Sequence, residues 1–328
     1  MSLPYTSTIL ITGGTTGIGY ETALHLARLQ PTTEIIISSR NPGKNNDAAG
    51  TINKALSQSN VTFLPLDLSS KADIRRFCTS YSSSNPPRAP IKALIPNAGI
   101  QLQANETKLS VDGIELSFAI THVGHALLFY LLRPYLAPDA RIVITSSGVH
   151  DVTKGWPLPV LPFSSGKEVA YATEKGGGLQ RYSTSKLCNV LWTYALDRRI
   201  QDTATAGGKR WTVTAMCPGL MPGTAIMRDA PAPVRALNST VGLYMIPLMR
   251  KMMKKENVHS PKESGMALAQ LAVGDEFAGV SGKYLEGTRE IKSSDDSYMR
   301  DKQDDLWNWT AEFVAENAAE AASFKSLS

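Results

Sequence analysis

Five short aliphatic and β-branched runs, at positions 8–12, 35–38, 61–65, 93–96 and 141–145, are continuous rather than alternating. A strand that is apolar on both faces has to be covered on both, as in a parallel sheet between two helical layers. Between the runs lie stretches with helical spacing at 20–29, 44–57, 70–82 and 114–136. Strand, helix, strand repeated from the N-terminus predicts an α/β, doubly wound parallel sheet. Beyond position 182 the alternation continues with a helix, a strand at 211–217, a helix at 261–273 and a last strand near 282–285. Neither a repeat nor a linker interrupts this order, so residues 1–328 read as a single domain.

The first run, Thr8-Ile9-Leu10-Ile11, leads into Thr12-Gly13-Gly14-Thr15-Thr16-Gly17-Ile18-Gly19 and then a helix. Glycines let a backbone approach a pyrophosphate, and a helix N-terminus offers free N–H groups and a positive dipole end. A dinucleotide site is therefore expected at Gly13, Thr15, Thr16, Gly17, Ile18 and Gly19. The second run ends at Arg40, where an acidic residue would hold the ribose 2′-hydroxyl of NAD. A guanidinium suits a 2′-phosphate instead, so NADP (NADPH) is expected in preference to NAD; an arginine that merely starts a surface loop is the alternative. Asp67, with Leu68, follows the third run and can accept from an adenine amino group, and Asn97-Ala98-Gly99 ends the fourth, where small residues let a ribose lie against the backbone.

Tyr182 and Lys186 are four residues apart, which on a helix stacks phenol and ammonium on one face. A free phenol titrates near pH ~10, and an ammonium one turn away favours the phenolate. Alone, the pair is a common feature of solvated helices. Its meaning comes from Ser146-Ser147, which close the fifth run, and from Pro218-Gly219, which follow the strand at 211–217.

With TGGTTGIG at 12–19, Asp67-Leu68, Asn97-Ala98-Gly99, Ser146-Ser147, Tyr182-Ser-Thr-Ser-Lys186 and Pro218-Gly219 in this order, the chain resembles the short-chain dehydrogenase/reductase family over nearly its whole length. Ser-Lys-Leu-Cys-Asn-Val-Leu and Pro-Gly-Leu-Met-Pro-Gly-Thr look like the branch of retinol dehydrogenases and protochlorophyllide reductases, and the C-terminal Gly-Lys-Tyr-Leu-Glu-Gly looks most like uncharacterised fungal or microbial reductases in it. The resemblance implies a Rossmann fold and an NADP(H)-dependent interconversion of a carbonyl and an alcohol. Ser147 would bind the substrate oxygen, Tyr182 would donate or accept the proton, and Lys186 would hold the nicotinamide ribose and lower the tyrosine pKa. Backbone at Pro218, Gly219 and Met221, with Thr224, would fix the nicotinamide amide. The resemblance also puts a homodimer, paired through the tyrosine helix, among the expected assemblies.

One departure leaves alternatives open. Many relatives have asparagine where Thr121 stands, supporting a water in the proton relay from the lysine. A cofactor-binding protein with little redox turnover, or a non-redox enzyme of secondary metabolism reusing the site, would look the same. His122 and His125 flank this position but have no carboxylate or cysteine partner in sequence, so no metal is assigned and structural roles are expected.

The net charge of +5 at pH 7, without a long basic block, argues against nucleic acid as a partner. Cys78, Cys188 and Cys217 are too scattered for a disulfide framework or a metal site, and the N-terminus has no charged leader, so a cytoplasmic location is expected. Residues 241–255, apolar then basic, are too short to span a membrane and read as a Met-rich helix closing over a pocket, so membrane contact is not expected. The segments 148–181 and 224–260, with Trp156, Pro157, Leu158, Pro159 and Phe163 in the first, are expected to shape a roomy apolar substrate pocket. A packed terminal helix fraying into a disordered tail is expected over 304–328.

Overall fold

The structure, a computed structural model, describes residues 5–40, 47–102, 107–151, 153, 162–171, 176–205, 209–221, 246–247, 251 and 257–327. Its strands are β1 (Ser7–Thr12), β2 (Thr33–Ser39), β3 (Val61–Pro65), β4 (Ile91–Ile95), β5 (Leu136–Thr145), β6 (Thr212–Cys217), β7 (Lys283–Glu286) and β8 (Arg289–Glu290). They form one sheet in the order β3-β2-β1-β4-β5-β6-β7-β8, parallel throughout except for the short β8.

The continuous apolar runs serve two cores at once, because successive side chains of a strand point to opposite faces. Ile9, Ile11, Ile35, Ile37, Ala93, Ile95 and Val143 face one core, with α1 (Gly17–Leu29) and α2 (Ala48–Leu56). Leu10, Ile36, Leu94, Ile142 and Ile144 face the other, with α3 (Lys71–Ser82). Chain direction away from the first strand reverses between β1 and β4, and the crevice beyond their C-terminal ends is where a doubly wound sheet receives a ligand.

The helix expected over 114–136 begins at Leu116, because the Glu115 carboxylate caps it, accepting from Phe118 N at 2.7 Å. It runs as α4 (Leu116–Phe118), a π-turn at Ala119–Val123 and α5 (Gly124–Leu132), with Gly124 N bonded to Ala119 O. The stretch Leu116–Tyr135 is long and apolar enough to cross a membrane by length and composition, but 83% of its apolar window is buried inside the protein. After α6 (Gly166–Tyr171), helix α7 (Gly178–Thr205) carries Tyr182 and Lys186; it starts before the tyrosine rather than after it.

On the far side, α8 (Pro261–Val273) opens with a capping box between Ser260 and Glu263 and packs on α1. The chain ends in α9 (Arg300–Val314) and α10 (Ala318–Ser326). This second helix corrects the expectation of a frayed tail. Asn317 caps it, Phe324 is 4% exposed with its ring stacked 4.6 Å from that of Tyr130, and Arg75 holds both Glu320 oxygens at 2.9 and 2.8 Å. These partners come from α3 and α5, far from the tail in sequence.

Candidate active site

The β1–α1 turn is shaped by what its glycines permit. Gly17 opens α1 at φ +57, and a Cβ on Gly19 would stand 2.3 Å from Gly13 O, so only glycine lets helix and turn close on each other. Thr16 caps α1 without a side-chain bond, which leaves the first-turn N–H groups open to an anion. Thr12 then ties this turn to β4. Its Oγ1 accepts from Asn97 N at 2.9 Å and Ala98 N at 3.0 Å, so its proton turns to His125 Nε2 at 2.8 Å. His125 Nδ1 donates to Thr121 O at 2.9 Å, and burial holds this imidazole neutral, with its pKa lowered to about 4. Asn97 Nδ2 adds a bond to Thr12 O at 2.9 Å.

From the other side β5 delivers Ser146 and Ser147. Ser146 N bonds Met216 O at 2.8 Å, and its hydroxyl donates to Lys186 O at 2.9 Å. Ser147 O accepts from His150 Nδ1 at 2.7 Å, and His150 Nε2 accepts from Ser294 N at 3.1 Å, so the C-terminal region braces the serine. Lys186 is 2% exposed, with Nζ donating to Thr145 O at 2.9 Å; burial lowers its pKa to about 8, opposed by Cys217. Tyr182, 8% exposed, has its ring centre 5.6 Å from that ammonium. Burial, with a further contribution from Cys217, raises the phenol pKa. This corrects the expectation that Lys186 lowers it: with the ammonium turned to Thr145 O, the loss of water around the phenol prevails.

Cys217 ends β6 beneath the serine, its Sγ accepting from Gly148 N at 3.1 Å and Gly219 N at 3.4 Å. Pro218 O is held by Ser264 Oγ at 2.7 Å and His259 Nδ1 at 3.2 Å, which fixes the turn that follows.

Together these elements enclose a cleft of about 280 Å³. Among the described residues, every site residue expected from sequence lines it: Gly13, Thr15, Thr16, Gly17, Ile18, Gly19, Arg40, Asp67, Leu68, Asn97, Ala98, Gly99, Ser147, Tyr182, Lys186, Pro218, Gly219 and Met221. Thr224, Trp156, Pro157, Leu158 and Pro159 lie outside the described residues, as does nearly all of 224–256. Phe163, expected at the pocket, is instead 3% exposed in the core. Asp67 Oδ1 already accepts from Ser69 N at 2.9 Å and Ser69 Oγ at 2.6 Å. Thr121 is fully buried beside Gly99, and its Oγ1 makes no hydrogen bond among the described residues. His122 Nε2 pairs with Thr310 Oγ1 of α9 at 2.9 Å, so the two histidines brace the π-turn from opposite ends of the chain. Among the described residues, no three His, Cys, Asp or Glu side chains gather as a metal cage. Thr12 and Asn189 stood in the quoted motifs and Thr145 at the end of an apolar run, but none was given a role from sequence.

A family description, short chain dehydrogenase, matches residues 7–157, and a second, AcuH dehydrogenase domain, matches residues 227–322. The human polyprenol dehydrogenase is 30% identical over 93% of this chain and 84% of its own length. Human retinol dehydrogenase 13 is 31% identical over 94% of this chain and 84% of its own. The chain belongs to the short-chain dehydrogenase family. Its likeness to the retinol dehydrogenase branch extends over more than nine tenths of its length. A crystal structure of an uncharacterized protein from Mycobacterium Paratuberculosis superposes with a TM-score of 0.63 at 24% identity, covering 95% of this chain and 96% of that one, which shows the shared fold.

The relatives overturn the cytoplasmic expectation. By name they are dehydrogenases of polyprenol and retinol, apolar lipids that dissolve in membranes, and a location inferred from the N-terminal residues does not hold against them.

Proposed function

We propose that this short-chain dehydrogenase is an NADP(H)-dependent oxidoreductase that interconverts a carbonyl and an alcohol on a bulky, apolar substrate. The observation that carries the reading is convergence: Ser147, Tyr182 and Lys186, from β5 and α7, line the same cleft as the glycine turn and Arg40. A nicotinamide dinucleotide, when bound, supplies or takes the hydride. The residues fit such a group through the open N-terminus of α1, the exposed guanidinium of Arg40 for a 2′-phosphate and the backbone at Pro218, Gly219 and Met221 for the amide. Asn97, Ala98 and Gly99 offer a surface for ribose, and Asp67 and Leu68 border the adenine end.

The Ser147 hydroxyl hydrogen-bonds the substrate oxygen, and Tyr182, a phenol already protonated at neutral pH and with its pKa raised further by burial, donates to that oxygen as charge develops there. Lys186 holds ribose hydroxyls with the ammonium that now reaches Thr145 O. Ile100, Ile120 and Met221 also line the cleft, and these apolar side chains agree with relatives named for retinol and polyprenol. The NADPH preference points to reduction as the working direction.

The test is NADPH oxidation, followed at the nicotinamide absorbance, against a panel of apolar ketones, aldehydes and quinones, with Tyr182→Phe as the control. Wild-type turnover that the variant lacks is the expected result. Wild type and variant equally inert while both bind NADPH would sink the reading, and would favour the second one, a cofactor-binding protein with little turnover, to which the Thr121 hydroxyl, without a partner among the described residues, lends support.

A further inference from the structure

Asn189 stands one turn beyond Lys186 on α7 and is 1% exposed. Its Nδ2 donates to Thr145 O at 3.1 Å, the same carbonyl that Lys186 Nζ reaches at 2.9 Å. A carbonyl oxygen has two lone pairs, so both donors are accommodated. Thr145 is where the sheet gives way to the site. Its N–H goes to Pro96 O and the next N–H goes to Met216 O, while its hydroxyl reaches Asn97 Oδ1 at 3.3 Å. Two residues on is Ser147, and between them Ser146 Oγ returns to the Lys186 carbonyl. The Thr145 carbonyl therefore sits among the serine, the lysine and the Asn97 turn. Asn189 Oδ1 has no hydrogen-bond partner among the described residues although it is buried, so this amide is held at the site by its donor end.

We propose that Asn189 is a positioning residue for the reaction: it keeps the buried Thr145 carbonyl hydrogen-bonded while the Lys186 ammonium turns from that carbonyl to the cofactor ribose and Tyr182. The proposal rests on the oxidoreductase reading above. A buried carbonyl that loses its donors is costly to leave bare. With Asn189 present, Lys186 exchanges one acceptor for another and nothing is stranded. Without it, the ammonium is the donor that Thr145 O retains, and the ribose has to compete for it. Asn189 is absent from the residues lining the cleft, so it acts through Lys186 and the Thr145–Ser147 segment rather than on substrate.

Two variants test this. Asn189→Leu removes the donor at similar volume, and Asn189→Asp keeps the shape but presents a carboxylate. NADPH affinity is read by fluorescence titration, and kcat, KM and the pH profile by reduction of an ortho-quinone. For Asn189→Leu we expect NADPH Kd to rise about tenfold and kcat to fall about tenfold, the size of one lost hydrogen bond, with quinone KM unchanged. For Asn189→Asp the fall in rate at high pH should move upward, because a carboxylate favours the ammonium. Folded variants, judged by circular dichroism, that keep wild-type Kd, kcat and pH profile overturn the proposal. If Asn189→Leu does not fold, Asn189→Asp carries the decision. If wild type binds NADPH and reduces nothing, the oxidoreductase reading fails separately, and unchanged NADPH affinity in the variants still overturns the role of Asn189.

Discussion

In the proposed reaction Tyr182 donates the proton; burial raises the pKa of its phenol and lowers that of the Lys186 ammonium beside it. Burial lowers Lys186 to about 8, so the ammonium is present below that pH and is lost above it. Carbonyl reduction needs that charge at the ribose, so kcat/KM should be level near neutrality and fall as pH rises through about 8, measured by NADPH oxidation in buffers of constant ionic strength. Replacing the phenol removes the proton donor itself: Tyr182→Phe should lower kcat by roughly 10²–10⁴-fold while leaving NADPH affinity within about twofold. Arg40 makes a different claim, on cofactor choice. Arg40→Ala should raise KM for NADPH by about tenfold or more, the loss of a charge-assisted pair, and leave KM for NADH nearly unchanged. Equal effects on both cofactors would reduce Arg40 to a surface residue.

At the scale of elements, the site depends on helices that are themselves held from outside. The π-turn at Ala119–Val123 places Thr121 against Gly99, and its His122 bonds Thr310 of α9. Helix α9 packs along α7, with Arg199 over the Trp307 ring at 4.3 Å. Helix α10 closes the arrangement through Phe324 on Tyr130 and Arg133 on Ser323, at 3.0 Å to its carbonyl. Phe324→Ala should therefore cost about 3 kcal/mol in urea unfolding, as for other buried aromatic truncations. The opening of α8 is a smaller matter. Ser260→Ala should cost about 1 kcal/mol, since it removes the cap that accepts from Glu263 N at 3.2 Å.

For the whole molecule, a ligand that binds only the native state raises stability by mass action. NADPH at a hundredfold excess over its Kd should stabilise the chain by about 2.7 kcal/mol, read as a rise in melting temperature that NADH at the same concentration matches only in part. The strand and helix alternation and the glycine turn were legible in the residues because both are local: strand runs, helical spacing and a strand–turn–helix succession each fit within one stretch of chain. Tyr182 with Lys186 was legible for the same reason, as a one-turn spacing on a helix. The partners of those residues were not. Asn189 meets Thr145 from 44 residues away, Thr12 meets His125 across 113, and His122 meets Thr310 across 188. The docked tail was missed likewise, since α10 draws its partners from α3 and α5. By itself, then, the sequence determined the strand and helix alternation, the glycine turn and the one-turn spacing of Tyr182 and Lys186, because short-range geometry sets each of them. The tertiary structure alone decided the raised phenol, the lowered ammonium and the shared Thr145 carbonyl, because burial and hydrogen-bond partnership depend on which distant elements close over a residue.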